Sequence, residues 1–427
     1  MKVIKYPPRE VWKTLLERPV IENESLEDTV KKVLEKVRNG GDEAVLKYTE
    51  RFDHVRLESN IVSKGEAASA GKLIDDELKD AIKLASENIA KFHEVQKPSV
   101  VSVETMPGVT CWQKAVPIEK IGLYVPGGTA PLFSTVLMLA IPAKIAGCRE
   151  IVLCSPPDRD GFLNPAIIYA AEIAGIDKLF KIGGIQAIGA MAYGTETVPS
   201  VYKILGPGNQ YVTAAKQIVA REGIAIDMPA GPSEVAVLAD ETSNPVFIAS
   251  DLLAQAEHST DSQAVLITTS QQIADLTLQE VDRQLNELPR KTFAADSLKH
   301  SRIFLVKDRD EMMELVNVYA PEHLIISVSD ADTLAEKVIN AGSVFVGEYT
   351  PESAGDYASG TNHTLPTNGY AVAYSGVNMD AYYKKITFQK ITREGLAKLG
   401  PAIEKMALTE ELTAHQRAVA FRITEKK

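Results

Sequence analysis

What constrains this chain most is a repeated alternation of short apolar runs with helical segments of roughly 10–15 residues. From Glu119 onward, KIGLYVPGG is a short apolar strand ending in a Pro-Gly-Gly turn, an apolar helix follows, and AGCREIVLCSPP is the next strand. NPAIIYAAEIAG then reads as helix and DKLFKIGG as strand. After Ser233 the pattern resumes with EVAVLAD, a helix to His258, AVLITTS, a long helix around Asp275 to Leu288, and then RIFLV, LIISVS and SVFVG. Such alternation implies βαβ units and parallel sheets. Ala146-Gly147, Ala174-Gly175 and Ala341-Gly342 each separate a helical pattern from an apolar run. Glycine there supplies the left-handed residue that ends a helix before a strand. The expectation is an α/β fold with two α/β units. Residues 25–110 read mostly helical and polar, with good helix formers and no Gly or Pro from Leu73 to Glu94. The tail from about Met379 also reads helical and polar.

Composition narrows the function class. A length of 427 residues is too much for one ordinary core and implies two to four packing units, at roughly 150 residues per domain. Forty-six basic against fifty-seven acidic side chains leave a net charge of −11, the wrong sign for a nucleic-acid partner held by phosphate neutralisation. The start, MKVIKYPPREVWK, has no apolar region of a signal peptide. The longest apolar run, Val136 to Ala143, falls well short of the roughly 20 residues that cross a bilayer, so no membrane partner is expected. Cys111, Cys148 and Cys154 form no CxxC and no paired framework. They read as small buried apolar residues in a reducing, cytoplasmic protein.

Four clusters could carry chemistry. Gln255 and His258 are three apart, and Ser243-Asn244-Pro245 is a good helix start upstream. Placed on one helix face they could present two ligands to a metal, although Gln is an uncommon zinc ligand; a helix-terminal imidazolium on the dipole is the alternative. Glu322-His323 follows Pro321 and precedes LIISVS. A carboxylate beside an imidazole suits general acid–base work, but in a strict strand the two face opposite ways, so convergence needs irregular backbone. The stretch from Gly355 to His363 is small, polar and Gly-rich, the composition of a site-lining loop; Asp356 and His363 could both ligate, or Asp356 could simply form a turn. In the tail, Glu411 and His415 are four apart and share a helical face, whereas Glu410 and His415 share one only if the helix starts or bends there. No G-x-G-x-x-G occurs. The nearest approach, Gly206-Pro207-Gly208-Asn209-Gln210-Tyr211, has Tyr at the last glycine, so the dinucleotide fingerprint is weak on motif logic alone.

Several segments together resemble the histidinol dehydrogenase family: GLYVPGGTAPLFSTVLMLA, GPGNQYVTAAK, DMPAGPSEV, QAEHSTDSQ, APEHLI, GSVFVGEYTPESAGDYASGTNH and LTAHQRAV, in the family's order and over nearly the whole length. The resemblance implies oxidation of L-histidinol to L-histidine through a bound aldehyde, the last step of histidine biosynthesis, with two NAD and one zinc ion. It implies zinc held by Gln255, His258, Asp356 and His415, with Glu322 and His323 as the acid–base pair. Substrate contacts would come from Ser233, Glu410, His323 and the zinc ligands, and NAD contacts from Tyr124, Gln186 and Asn209. The family places a Glu five residues before its last ligand, which favours Glu410 over the Glu411 that helix geometry prefers.

It also implies two incomplete Rossmann-like parallel-sheet domains, with small N- and C-terminal segments mediating an intertwined homodimer with shared active sites. The expected division is an N-terminal dimerisation segment 1–24, a discontinuous α/β domain 25–118 and 236–378, an inserted α/β domain 119–235, and a helical tail 379–427 reaching the partner subunit. Three rival readings set expectations of their own. An aldehyde dehydrogenase would use Cys154 as nucleophile. A zinc hydrolase would need metal and the Glu-His pair but no NAD. A two-lobed small-molecule binder would show no turnover.

Overall fold

The computed structural model describes residues 1–19, 24–127, 131–228 and 231–424. They fall into two compact units: Met1–Gln96 with Glu119–Ala381, and Lys97–Ile118 with Tyr382–Lys427.

The first unit contains two wholly parallel sheets. The larger has six strands in the order Lys2–Lys5, Arg302–Leu305, Gln263–Thr268, Glu234–Ala239, His323–Ser327, Ser343–Val346. Every residue of its three central strands is buried, as expected where helices cover both faces. One face packs Ile248, Leu252 and Leu253 of helix Pro245–Ala256 against Val235 and Val237. The other packs Trp12 and helix Arg309–Tyr319 against Ala236 and Leu238. Each large aliphatic side chain so buried contributes about 1.5–3 kcal/mol. The smaller sheet runs Lys178–Lys181, Glu150–Ser155, Lys120–Tyr124, Lys203–Leu205, Ala225–Ile226. The α/β expectation with two parallel Rossmann-like sheets therefore holds.

Local signals explain the helix boundaries. Asn244 caps helix Pro245–Ala256 by accepting from the Val246 amide, and Asn164 does the same for helix Pro165–Ile173. Gly147 and Gly175 are left-handed, as expected. Gly342 is not. Its role is close approach, because a Cβ there would lie 2.6 Å from the carbonyl oxygen of Glu322.

Two stretches depart from the sequence reading. Residues 25–110 are helical only as far as Glu94; Val101–Met106 and Val109–Pro117 are antiparallel strands joined at Pro107-Gly108. The Pro-Gly pair is a turn signal that the preceding helical run obscured. The tail is not all helix either. Strand Tyr383–Ile391 pairs antiparallel with Val109–Pro117, and Trp112 stacks on Phe388 with ring centroids 5.2 Å apart. Together the three strands form the sheet of the second unit, a cross-strand partnership invisible to a local reading. Helices Arg393–Thr409 and Thr413–Thr424 follow, and they and the turn between them expose Met406, Leu408, Leu412 and Phe421, so the tail is less polar at its surface than its composition.

Candidate active site

The site is assembled at the amino-terminal ends of the central strands of the six-stranded sheet. Glu322 precedes strand His323–Ser327, and Ser233 precedes strand Glu234–Ala239. The irregular backbone that a converging Glu-His pair requires is present, with Ala320 in a left-handed conformation at φ 50°. Glu322 and His323 are both buried, and Oε2 of Glu322 lies 3.7 Å from Nδ1 of His323. The Glu234 amide N–H is shared between Glu322 Oε2 at 3.0 Å and, with the Gln255 amide turned to satisfy both of its ends, the Gln255 carbonyl at 2.8 Å. In that orientation the Gln255 nitrogen donates to Glu352.

Glu352 is a site residue that the sequence reading missed. It lies one turn before Asp356 on the short helix Glu352–Tyr357, and that i,i+4 spacing was the available signal. His258, Glu352 and Asp356 bring three ligand atoms within 4.8 Å of one another. His323 joins them, with Nε2 at 3.3 Å from Asp356 Oδ1 and Nδ1 at 4.0 Å from Glu352 Oε1. Burial disfavours the charged ring, yet Glu352, Glu322 and Asp356 outweigh it and push the His323 pKa up to about 10. Burial pushes the Glu322 carboxyl up to about 8, against the pull of His323. Both groups are thus pushed toward holding a proton in one dry pocket, where each can pass a proton on and take it back as the reaction demands.

The strand carrying Ser233 and Glu234 is fixed from behind. Arg18 donates through Nε to Glu234 Oε2 at 2.8 Å, and its guanidinium stacks 4.3 Å from the Tyr319 ring centroid. The Asn368 amide donates to the other oxygen of Glu234. A buried carboxylate satisfied at both oxygens holds its strand end in one place.

Three local expectations change. Helix Pro245–Ala256 ends before His258, which sits in the following turn with its amide on the Gln255 carbonyl at 3.3 Å. His363 is not a free ligand, because Nδ1 faces the Asp356 carbonyl at 2.9 Å and Nε2 faces Thr135 Oγ1 at 3.0 Å. It ties Asp356 to helix Phe133–Ala146, which follows strand Lys120–Tyr124 in sequence. In the second unit, Glu410 caps the end of helix Arg393–Thr409, Glu411 is left-handed at φ 61°, and His415 begins the next helix. The continuous face on which Glu411 was favoured does not exist. Glu410 and His415 are both exposed on that unit.

The residues expected to contact a dinucleotide occupy the carboxyl-end rim of the smaller sheet, the usual side for ligands in open parallel sheets. Tyr124 ends strand Lys120–Tyr124, and its hydroxyl accepts from the Gly184 amide at 3.0 Å. Gln186 is buried, with Nε2 donating to Asp53 at 3.3 Å and Oε1 unpartnered. Asn209 caps helix Gln210–Arg221, its oxygen accepting from the Tyr211 and Val212 amides. Any ligand contact from Asn209 therefore falls to its amide nitrogen.

Cys154 has no exposed surface, and burial drives its thiol far above the usual range; burial takes Cys148 to about 12. A thiolate nucleophile does not form in such surroundings. Cys154→Ser is expected to keep kcat/KM within about twofold of the parent, and loss of all activity in a folded variant would reinstate the thiol route.

An acid–base pair on parallel α/β sheets, set beside a His–Glu–Asp cluster of metal-ligating type, defines an α/β enzyme rather than a binding module. The histidinol dehydrogenase family profile matches residues 16–423. Histidinol dehydrogenase of Bacteroides thetaiotaomicron is 62% identical over 427 residues, covering all of both chains. The crystal structure of histidinol dehydrogenase from Elizabethkingia anophelis superposes with a TM-score of 0.97 at 54% identity, over 99% of this chain and 98% of that one. An acetylating aldehyde dehydrogenase from Geobacillus thermoglucosidasius shares the fold alone, at TM-score 0.50 and 14% identity over 89% and 94% of the two chains. The chain belongs to the histidinol dehydrogenase family and is an oxidoreductase of the alcohol/aldehyde class. The hydrolase and binder readings are thereby set aside.

Proposed function

We propose that the chain oxidises L-histidinol to L-histidine in two NAD-coupled steps at a zinc site, closing histidine biosynthesis. The observation that carries the reading is the buried Glu322–His323 pair held against Asp356. The donor set supports a divalent cation, since one imidazole and two carboxylates lie within 4.8 Å of each other, and zinc takes such N and O ligands. Gln255, His258, Asp356 and His415 would hold the ion, with His415 reaching in from a second copy of the chain. When bound, zinc would supply orientation of a substrate that carries imidazole and amine lone pairs. NAD, contacted by Tyr124, Gln186 and Asn209, supplies the acceptor for one hydride in each oxidation. The unpartnered Oε1 of buried Gln186 is in keeping with a polar ligand there.

The chain's own groups handle the protons. His323 takes the hydroxyl proton as the carbinol hydride departs, leaving the aldehyde. Glu322 takes a proton from the water that adds to that aldehyde while His323 returns its proton to the carbonyl oxygen, forming the hydrate. His323, free again, accepts a hydrate proton as the second hydride leaves, and the resulting carboxylic acid ionises to the carboxylate. Ser233 and Glu410 would contact the substrate. Burial of both bases keeps bulk water from the aldehyde stage. The exposed apolar side chains of the last two helices support a homodimer in which the tail docks on its neighbour. No helix among the described residues is long and apolar enough to cross a membrane, and the three unpaired cysteines favour the cytoplasm.

The test is stoichiometric. With L-histidinol, NAD⁺ and zinc supplied, two NADH are expected per histidine formed. A ratio of one with aldehyde released would remove the second half of the mechanism, and no NADH at all would remove the reading.

A further inference from the structure

In sheets that bind dinucleotides, the adenosine ribose is usually held by an acidic side chain near the end of the second strand. The second strand of the smaller sheet, Glu150–Ser155, runs into Pro156-Pro157-Asp158, and the Asp158 carboxylate is engaged in its own turn, accepting from the Asp160 and Phe162 amides at 2.9 Å. A carboxylate reaches the same place from a distant part of the chain. Asp53 directly follows helix Glu24–Phe52. A Cβ built on Gly183 would lie 2.6 Å from Pro156 Cβ and 3.1 Å from Asp53 Oδ1. Asp53, the end of the second strand and the turn after the third therefore meet at one point.

The surroundings look like a site rather than a packing accident. Oδ2 of Asp53 accepts from Gln186 at 3.3 Å, while among the described residues no donor reaches Oδ1. Gln186 is fully buried with Oε1 unpartnered, and Ser155 Oγ close by is also buried and unpartnered. Gly206 keeps the neighbouring rim open. It is left-handed at φ 128°, and a Cβ there would meet the Tyr124 carbonyl oxygen at 2.0 Å, so the first and fourth strand ends approach as only glycine permits. Asp53 itself is half-buried and remains reachable. The nearby Lys181 is engaged with Glu66 at 3.4 Å, leaving it poorly placed to neutralise a second anion beside Asp53. Burial raises the Asp53 carboxyl to about 6, against the opposing pull of the neighbouring His54.

We propose that Asp53 selects the cofactor, its free Oδ1 accepting from the adenosine ribose hydroxyls of NAD and its charge rejecting the 2′-phosphate of NADP. This rests on the reading that the smaller sheet binds NAD. A phosphate ester there would meet a carboxylate, which is discrimination by repulsion as well as by attraction.

The test compares the parent with Asp53→Asn, which preserves an acceptor for Gln186, and with Asp53→Ser. Steady-state rates are measured with NAD⁺ and NADP⁺, together with fluorescence titrations of NADH and NADPH and a thermal melt of each protein. Loss of a charged hydrogen-bond acceptor should lower kcat/KM for NAD⁺ by about 10–100-fold. The NADP⁺/NAD⁺ ratio of kcat/KM should rise at least about tenfold. If both cofactors weaken equally, or neither changes, in variants that melt like the parent, Asp53 merely supports Gln186 and the assignment is overturned. If the parent itself binds neither NADH nor NADPH, the NAD reading fails and takes this assignment with it. Parental NADH binding with an unmoved ratio defeats the assignment alone.

Discussion

His323→Asn is expected to lower kcat by about 10²–10⁴-fold, the usual contribution of a positioned acid–base group, while the protein still binds zinc. The imidazole lies within 4 Å of Asp356, Glu352 and Glu322 at once. Its removal leaves no imidazole to take the proton that the hydroxyl must lose in both oxidations. The three side chains of the first unit expected to ligate the ion stay in place, so metal content should hold. Asn can also donate toward Asp356, which limits the repulsion among the carboxylates. Turnover of the purified variant, with zinc measured on the same sample, decides the matter. A variant as fast as the parent would remove His323 from the chemistry, and loss of zinc together with activity would recast it as a support for the metal.

The second large effect concerns His415. Its helix belongs to the second unit, which carries its own three-stranded sheet, and its ring is exposed. If it completes the zinc site of a neighbouring copy, His258→Ala and His415→Ala should each abolish activity alone. Purified heterodimers of the two should regain about half the parental rate, because in a two-fold dimer one site receives both lesions and the other receives none. An arrangement in cis predicts no recovery, since each chain would then carry one broken site. Heterodimers verified by mass that stay inactive would therefore defeat the shared site while leaving the acid–base pair untouched.

The parallel α/β architecture was legible because hydrophobic period is a local property. EVAVLAD, AVLITTS and LIISVS are continuous apolar runs, and these became strands buried on both faces. Asn-Pro helix starts and Ala-Gly stops were legible for the same reason. The strand Tyr383–Ile391 was not, because YKKITFQKI takes its order from a partner nearly three hundred residues away in sequence. Glu352 was overlooked because its i,i+4 spacing to Asp356 is a weak local signal that many surface acids share, and only folding places it against Gln255 and His323.

Sequence by itself determined the alternation of strands and helices, the family, and the pairing of Glu322 with His323, since each depends on residues close together or on an ordered set of motifs. Tertiary structure alone decided that the site lies at the amino-terminal ends of its strands, that Glu352 stands among the ligating groups, that both nitrogens of His363 are engaged, and that Asp53 reaches the rim of the smaller sheet. The physical reason is the same in every case. Propensity and periodicity act over a few residues, whereas desolvation, charge clustering and close backbone approach exist only after distant segments have been packed together.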